Sequence, residues 1–131
     1  MKRDLFIPSE IQNLRMVEKA IDEISLELDL SDEIYGNVLV ATMEATNNAI
    51  IHGNKADPKK DVKIKIVLEK TELTIFIEDQ GPGFDYKNVP DPTAPGNLEK
   101  INGRGIFLME RLSDEITYLE DGRIVQLKFK L

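Results

Sequence analysis

Apolar residues recur at helical spacing through two long segments in the first half of the chain. At the start of the first segment, Ser9 and Gln12 have the spacing of a capping box, which marks a helix N-terminus. The apolar positions that follow are Ile11, Leu14, Val17, Ile21, Ile24 and Leu28. In the second segment, Ser31 can cap a helix that runs to Gly53, a residue type that commonly ends helices. The spacing therefore predicts two helices.

Elsewhere apolar and polar residues alternate with the period of two that is typical of strands. The predicted strands cover residues 5–7, 62–68, 73–77, 116–119 and 125–131. The last two form a hairpin around Asp121-Gly122, a strong turn signal. A short helix is expected from about Arg104 to Leu112. Together these elements predict an α+β fold, in which a mostly antiparallel mixed sheet carries helices on one face.

Residues 86–102 break the pattern, since they contain three prolines and show little periodicity. A connector of this length inside a compact domain is usually a functional lid or a disordered loop. The chain of 131 residues is otherwise the size of one domain. We therefore expect a single domain over residues 1–131, with a flexible lid at about 86–102.

The amino-acid composition argues against two classes of binding partner. The chain has 17 Lys and Arg against 24 Asp and Glu, a net charge of -7, which argues against direct nucleic-acid binding and against an anionic membrane surface. Without cysteine there is no disulfide or thiolate metal site, which is compatible with a reducing cytoplasm. No apolar run is long enough to span a membrane, and no signal-peptide pattern is present. A cytoplasmic location is the expectation.

Asp79 is the first candidate for chemistry. It follows the alternating run Leu73, Ile75 and Ile77 at the same parity, so its carboxylate is expected to face the core at the end of a strand. An inward carboxylate is costly unless a hydrogen-bond donor meets it, and a ligand amino group is a suitable donor. Gly81 and Gly83 follow and let the backbone approach such a ligand. An ordinary turn-forming Asp is the competing interpretation.

Glu44, Asn48 and His52 are spaced four apart and share one face of the predicted second helix. They form either a solvated stripe or a site. An Asn oxygen is a suitable ligand for Mg²⁺, which takes most of its other ligands from phosphates and water. Glu44 could orient water or accept a proton from an attacking hydroxyl. For His52, a phosphate-side contact and a helix-terminal cation remain equally open.

Gly103-Arg104-Gly105 opens the third helix. Two close glycines usually make only a turn, but at a helix N-terminus free N–H groups favour phosphate binding. Arg104 either adds charge-assisted bonds to outer phosphates or faces water.

In order, the chain has E-x-x-x-N on a helix, D-x-G-x-G after a strand, and G-x-G opening a helix. This resembles the N, G1 and G2 boxes of the Bergerat-fold (GHKL) ATPases, a two-layer α/β sandwich. The resemblance implies ATP and Mg²⁺ as cofactors, with Asn48 on the metal and Glu44 as general base. It places Asp79 on the adenine amine, Gly81 and Gly83 around the base, and a lid over the nucleotide.

Within this superfamily, residues 48–53 and 103–116 are most similar to the anti-sigma-factor serine kinases. The resemblance implies an ATP-dependent serine/threonine protein kinase that phosphorylates a serine of a STAS-type anti-sigma-factor antagonist and sequesters a sigma factor, usually as a homodimer. A histidine kinase is disfavoured because it needs a phosphoacceptor histidine on a separate helix, and the only histidine lies in the predicted ATP-site helix. The alternative is an ATP-binding module that sequesters a partner without phosphotransfer.

Overall fold

A computed structural model describes residues 1–82 and 101–131, with only the backbone of 101–104. The elements are strands β1 (Lys2–Pro8), β2 (Asp61–Glu69), β3 (Glu72–Glu78), β4 (Glu115–Leu119) and β5 (Ile124–Lys130), with helices α1 (Leu14–Leu28), α2 (Asp32–Asn48) and α3 (Ile101–Leu112). A π-helical turn, Ala49–Gly53, continues α2. Among the described helices, none combines the length and apolar content needed to cross a membrane.

The five strands form one sheet in the order β1-β2-β3-β5-β4, and every pairing in it is antiparallel. In the central strand β3, Leu73, Ile75 and Ile77 face inward at alternate positions and are at most 1% exposed. The opposite face of the sheet stays open and includes Phe6, which is 56% exposed. The expected α+β sandwich with helices on one face is confirmed.

The helices bury apolar faces against the inward side of the sheet. In α1, Val17, Ile21 and Ile24 are each 1% exposed, which follows from their helical spacing. Facing positions of α2 are small, with Ala41 and Ala45 almost fully buried. Small residues let a helix approach closely, which brings α2 near both the sheet and α3.

The predicted ends of helices and strands were confirmed in some places and wrong in others. Ser31 caps α2 as predicted, because its side chain accepts the Ile34 N–H at 3.2 Å. The capping box at Ser9 is wrong, since the Ser9 hydroxyl donates to the Lys60 carbonyl at 2.6 Å. The first strand is longer than predicted, and α3 begins at Ile101 rather than near Arg104. The final hairpin turns where expected, through a 3₁₀ turn at Glu120–Gly122.

Candidate functional site

Asp79 directly follows β3 and faces the core, as the alternation of apolar residues along the strand predicted. It is 8% exposed, its backbone N–H donates to the Arg123 carbonyl at 3.0 Å, and its Oδ1 accepts the Gly81 N–H at 2.8 Å. Burial raises the pKa of Asp79, while the Gly81 N–H and the Arg123 charge act in the opposite direction. None of the hydrogen bonds among the described residues uses Oδ2, so this oxygen is available to a donor from a ligand.

The end of α2 lies against this carboxylate so closely that only glycine fits. A Cβ added at Gly53 would lie 2.3 Å from both Cγ and Oδ2 of Asp79. A Cβ added at Gly81 would lie 2.0 Å from the Gly53 carbonyl oxygen. Real side chains do not tolerate such distances, so both glycines are required for this packing. From the sequence, Gly53 was predicted only to end a helix. Its contact with Asp79, which requires a glycine, could not be predicted because Asp79 is distant in sequence.

Glu44 and Asn48 lie together on the face of α2 that contacts α3. A Cβ added at Gly105 would be 2.9 Å from Asn48 Nδ2 and 3.1 Å from Glu44 Oε2, so the glycine of α3 lies directly on these two side chains. Asn48 Oδ1 is buried and has no hydrogen-bond partner within residues 1–82 and 101–131. A buried acceptor without a donor is unfavourable unless a ligand satisfies it.

His52 lies in the π-helical turn, one turn beyond Asn48. Its Nε2 is buried and without a hydrogen-bond partner in the described part of the chain. Burial lowers the pKa of His52, and the nearby Lys55 charge lowers it further. The imidazole is therefore favoured in its neutral form, which suits hydrogen bonding to a ligand better than a purely electrostatic role.

Several of these side chains line one cavity between α2, α3 and the sheet, with about 490 Å³ of empty space that includes its open mouth. The polar side chains on its wall are Asn48, His52 and Asp79. The apolar residues are Ala45, Ala49, Ile77, Ile106, Met109 and Val125, with glycines at 53 and 122. A largely apolar wall that carries one carboxylate can pack against an aromatic ring and accept a hydrogen bond from an amino group on it.

The structure places five of the predicted site residues in two groups: Glu44, Asn48 and Gly105 between α2 and α3, and Asp79 with Gly81 after β3. Asn48 and Asp79 join the groups, since both line the cavity, whereas Glu44 is not on its wall. His52 shares the cavity wall with Asn48 and Asp79. Gly83 and most of the expected lid at 86–102 lie outside the described residues. The same holds for the side chain of Arg104, although Gly103 and Arg104 belong to the first turn of α3.

The apolar wall of the cavity formed by Ile106, Met109 and Val125 was not predicted as part of the site. These residues belong to amphipathic elements, so the sequence indicates only that they are core.

An antiparallel sheet with helices on one face, an inward Asp after its central strand and an Asn on the facing helix together define the class of Bergerat-fold nucleotide-binding domains. Residues 7–129 match the family described as "Histidine kinase-like ATPase domain", and the chain belongs to this family.

Similar proteins agree with this class. The chain is 26% identical over 115 residues to a "Serine-protein kinase RsbW" of Bacillus licheniformis. This alignment covers 83% of this chain and 72% of the relative. It is 29% identical over 126 residues to an "Anti-sigma F factor" of Shouchella clausii, covering 94% and 86%. A crystal structure of the RsbU and RsbW domains of Rv1364c from Mycobacterium tuberculosis has a TM-score of 0.73 at 16% identity. That match covers 100% of this chain but 32% of the solved chain, and it shows the shared fold.

Proposed function

We propose that this chain is an ATP-dependent serine/threonine protein kinase that acts as an anti-sigma factor. It phosphorylates a serine of a STAS-type anti-sigma-factor antagonist and sequesters a sigma factor. The names of its relatives support this proposal. The observation that carries it is that the Glu44 carboxylate and the Asn48 side chain, whose Oδ1 has no hydrogen-bond partner among the described residues, lie side by side against Gly105 of α3.

The nucleotide in this proposal is ATP, selected through Asp79. The adenine exocyclic amine donates to the free carboxylate oxygen, whereas guanine presents a carbonyl there, so acceptor would meet acceptor. Gly81 and Gly83 shape the base pocket, and His52 hydrogen-bonds at the phosphate side. Gly103 and Arg104, in the first turn of α3 where free N–H groups favour anions, hold the phosphates together with Gly105 at the start of the next turn.

Asn48 fits Mg²⁺ through its buried, partnerless Oδ1. In the described residues, no cluster of three or more His, Cys, Asp or Glu side chains could hold a metal alone. This agrees with an ion that takes one protein oxygen and completes its shell with phosphate oxygens and water. When bound, the ion would neutralise charge on the transferring phosphoryl group.

Glu44 serves as the general base. Its carboxylate accepts the proton of the substrate serine while the serine oxygen bonds to the terminal phosphorus and the bond to the ADP oxygen breaks. The partners in this proposal are a sigma factor, the antagonist and a second copy of the chain, in the cytoplasm.

Glu44→Gln tests the catalytic assignment, because glutamine keeps the shape and removes the base. ATP affinity should stay near the wild-type value, while phosphate transfer to a purified antagonist falls by about 10²–10⁴-fold. The measurement is transfer of radiolabelled phosphate from ATP beside a calorimetric ATP titration. Glu33→Gln, an exposed acid in the first turn of the same helix, is the matched control and should transfer at the wild-type rate.

A second outcome would favour the alternative function. If wild-type protein transfers no phosphate to any co-encoded antagonist but still binds ATP and a sigma factor, the kinase proposal fails. The chain would then be a sequestering module whose shape depends on nucleotide.

A further inference from the structure

Asn54 is a fully buried polar residue that lies directly after the π-helical turn. Its Nδ2 donates to Ser9 Oγ at 2.9 Å and to the Asp61 carbonyl at 3.1 Å. Its Oδ1 accepts the Gln80 N–H at 2.7 Å. Both amide protons and the carbonyl are therefore used, which is what a buried amide requires.

These partners lie at the ends of three different strands. Ser9 follows β1, Asp61 begins β2, and Gln80 lies just beyond β3. Ser9 extends the network, since its hydroxyl donates to the Lys60 carbonyl. Two of the three bonds therefore reach β1 and β2, and only the Gln80 bond reaches the turn that follows Asp79.

The Gln80 peptide lies between Asp79 and Gly81, the two described residues that are assigned to the base pocket. Its N–H is held by Asn54, and the next N–H, of Gly81, is held by the Asp79 carboxylate. Together the two bonds fix the orientation of the turn relative to the Asp79 side chain. Without the Asn54 bond the Gln80 peptide is free to rotate, and the Gly81 N–H moves with it.

The backbone around Asn54 is itself constrained. Its N–H donates to the Ala49 carbonyl at 2.8 Å, closing the π-helical turn. The next two residues, Lys55 and Ala56, both have left-handed backbone angles, with φ of 54° and 55°. Non-glycine residues adopt this conformation only where the surroundings impose it, and such strain clusters at functional sites.

We infer that Asn54 is a positioning residue for base selection: it fixes the Gln80 peptide and thereby aims the Asp79 carboxylate at the base. The inference rests on the proposed ATP function. Asn54 does not contact the nucleotide and acts through the turn after β3. A residue that served stability alone would leave the preference between bases unchanged.

The experiment compares two variants that break the same network on opposite sides. Asn54→Ala removes the bond to Gln80, whereas Ser9→Ala removes one partner of Asn54 and leaves the Gln80 bond. Both should lower the unfolding midpoint. Only Asn54→Ala should reduce the ratio of ATP to GTP affinity, by roughly tenfold, as expected when one well-placed hydrogen bond is lost. Calorimetric titration with each magnesium nucleotide gives the ratio.

Asn54→Asp provides the conservative rescue, because it keeps an oxygen for Gln80 while losing both donations. It should be less stable than wild type but retain most of the preference for ATP. If Asn54→Ala does not fold, Asn54→Ser replaces it, since its hydroxyl is too short to reach Gln80.

The outcomes separate this inference from the proposal beneath it. A wild type with equal affinity for ATP and GTP overturns the proposed function and the inference with it. A wild type that selects ATP, together with an Asn54→Ala variant that selects it equally well, overturns the inference alone. An equal loss of preference in Ser9→Ala also overturns it, because the effect would then reflect general loosening.

Discussion

At the scale of single residues, the site depends on contacts between groups far apart in sequence. Gly53 and Asp79 are the clearest pair, because the missing Cβ of one makes room for the carboxylate of the other. The inward direction of Asp79 was predictable from strand parity, and the Glu44–Asn48 face from helical spacing. Gly53 and Asn54 could not be assigned, since a Gly-Asn pair at a helix end normally indicates a turn and carries no sign of burial.

Gly53→Ala should weaken ATP binding strongly. The new methyl would overlap the Asp79 carboxylate and push it from its position, and overpacking of this kind typically costs about 1–3 kcal/mol. We expect at least a roughly tenfold loss of ATP affinity by calorimetry together with a lower unfolding midpoint. Unchanged affinity would mean that the carboxylate position does not matter for binding.

Asp79→Asn should make the nucleotide-free protein more stable at neutral pH while weakening its binding of ATP. Burial raises the pKa of Asp79, so ionisation opposes folding increasingly as the pH rises above the ordinary Asp pKa, and fully once the pH exceeds the raised pKa. The stability advantage of the variant should therefore be largest at pH 7 and shrink as the pH falls towards 4. Urea unfolding across this range measures it.

Asp4→Asn, on the exposed side of β1, is the control for Asp79→Asn and should show no such pH-dependent advantage. If Asp79→Asn is less stable than wild type at pH 7, groups within the protein must already offset the cost of burying the charged carboxylate without a ligand.

Asn48→Ala should abolish the tightening of ATP binding by Mg²⁺, because it removes the buried oxygen assigned to the ion. Binding in the presence and absence of Mg²⁺ measures the effect. Asn47→Ala, one position away and not on the cavity wall, should retain it. If the Mg²⁺ effect persists in Asn48→Ala, the protein ligand lies elsewhere.

At the scale of elements, α2 is the part that joins core and site. Its start follows the predicted Ser31 cap, and the helical segment ends at Gly53 as predicted, but the π-helical form of its last turn was not predicted. The wider turn places the Gly53 carbonyl against Gly81, which no local pattern specifies. Ser9 failed as a helix cap for a similar reason, since Lys60 and Asn54 compete successfully for its hydroxyl.

Gly36→Ala should stabilise the protein, in contrast to the same change at Gly53. Gly36 lies inside α2, and a Cβ there meets no atom within 4 Å. Alanine is favoured over glycine in a helix interior by about 0.5–1 kcal/mol. Denaturant unfolding should show this gain with ATP affinity unchanged. A loss of stability would indicate a contact at Gly36 that only glycine permits.

At the scale of the whole molecule, the cavity lies between the two layers of the sandwich. Ile77 and Val125 of the sheet face Ile106 and Met109 of α3 across it. A ligand that fills this space holds the layers together. Fold class and family were predictable because three short motifs occur in order, each on its expected element. The apolar walls of the cavity were not predictable, since core residues and pocket residues follow the same periodicity.

ATP should therefore stabilise the whole domain against unfolding. At a free ATP concentration 100-fold above its dissociation constant, the expected gain is about 2.7 kcal/mol. GTP at the same concentration should give much less, and Asp79→Asn should lose most of the ATP gain. Thermal unfolding with each nucleotide measures these differences, and equal gains from ATP and GTP would contradict the role given to Asp79.

The pairing of β1 has a consequence for the order in which the protein folds. Lys2 pairs with Val67, whereas β2 and β3 are joined by a tight turn and can pair early. Contacts between distant residues pay a larger loop-closure cost, so β1 must wait until the hairpin exists. Ser9 follows β1 and reaches Asn54 only when this strand has docked. The segment synthesised first thus docks late, and protein caught before that step would lack the bond between Ser9 and Asn54, while the bond between Asn54 and Gln80 does not depend on it.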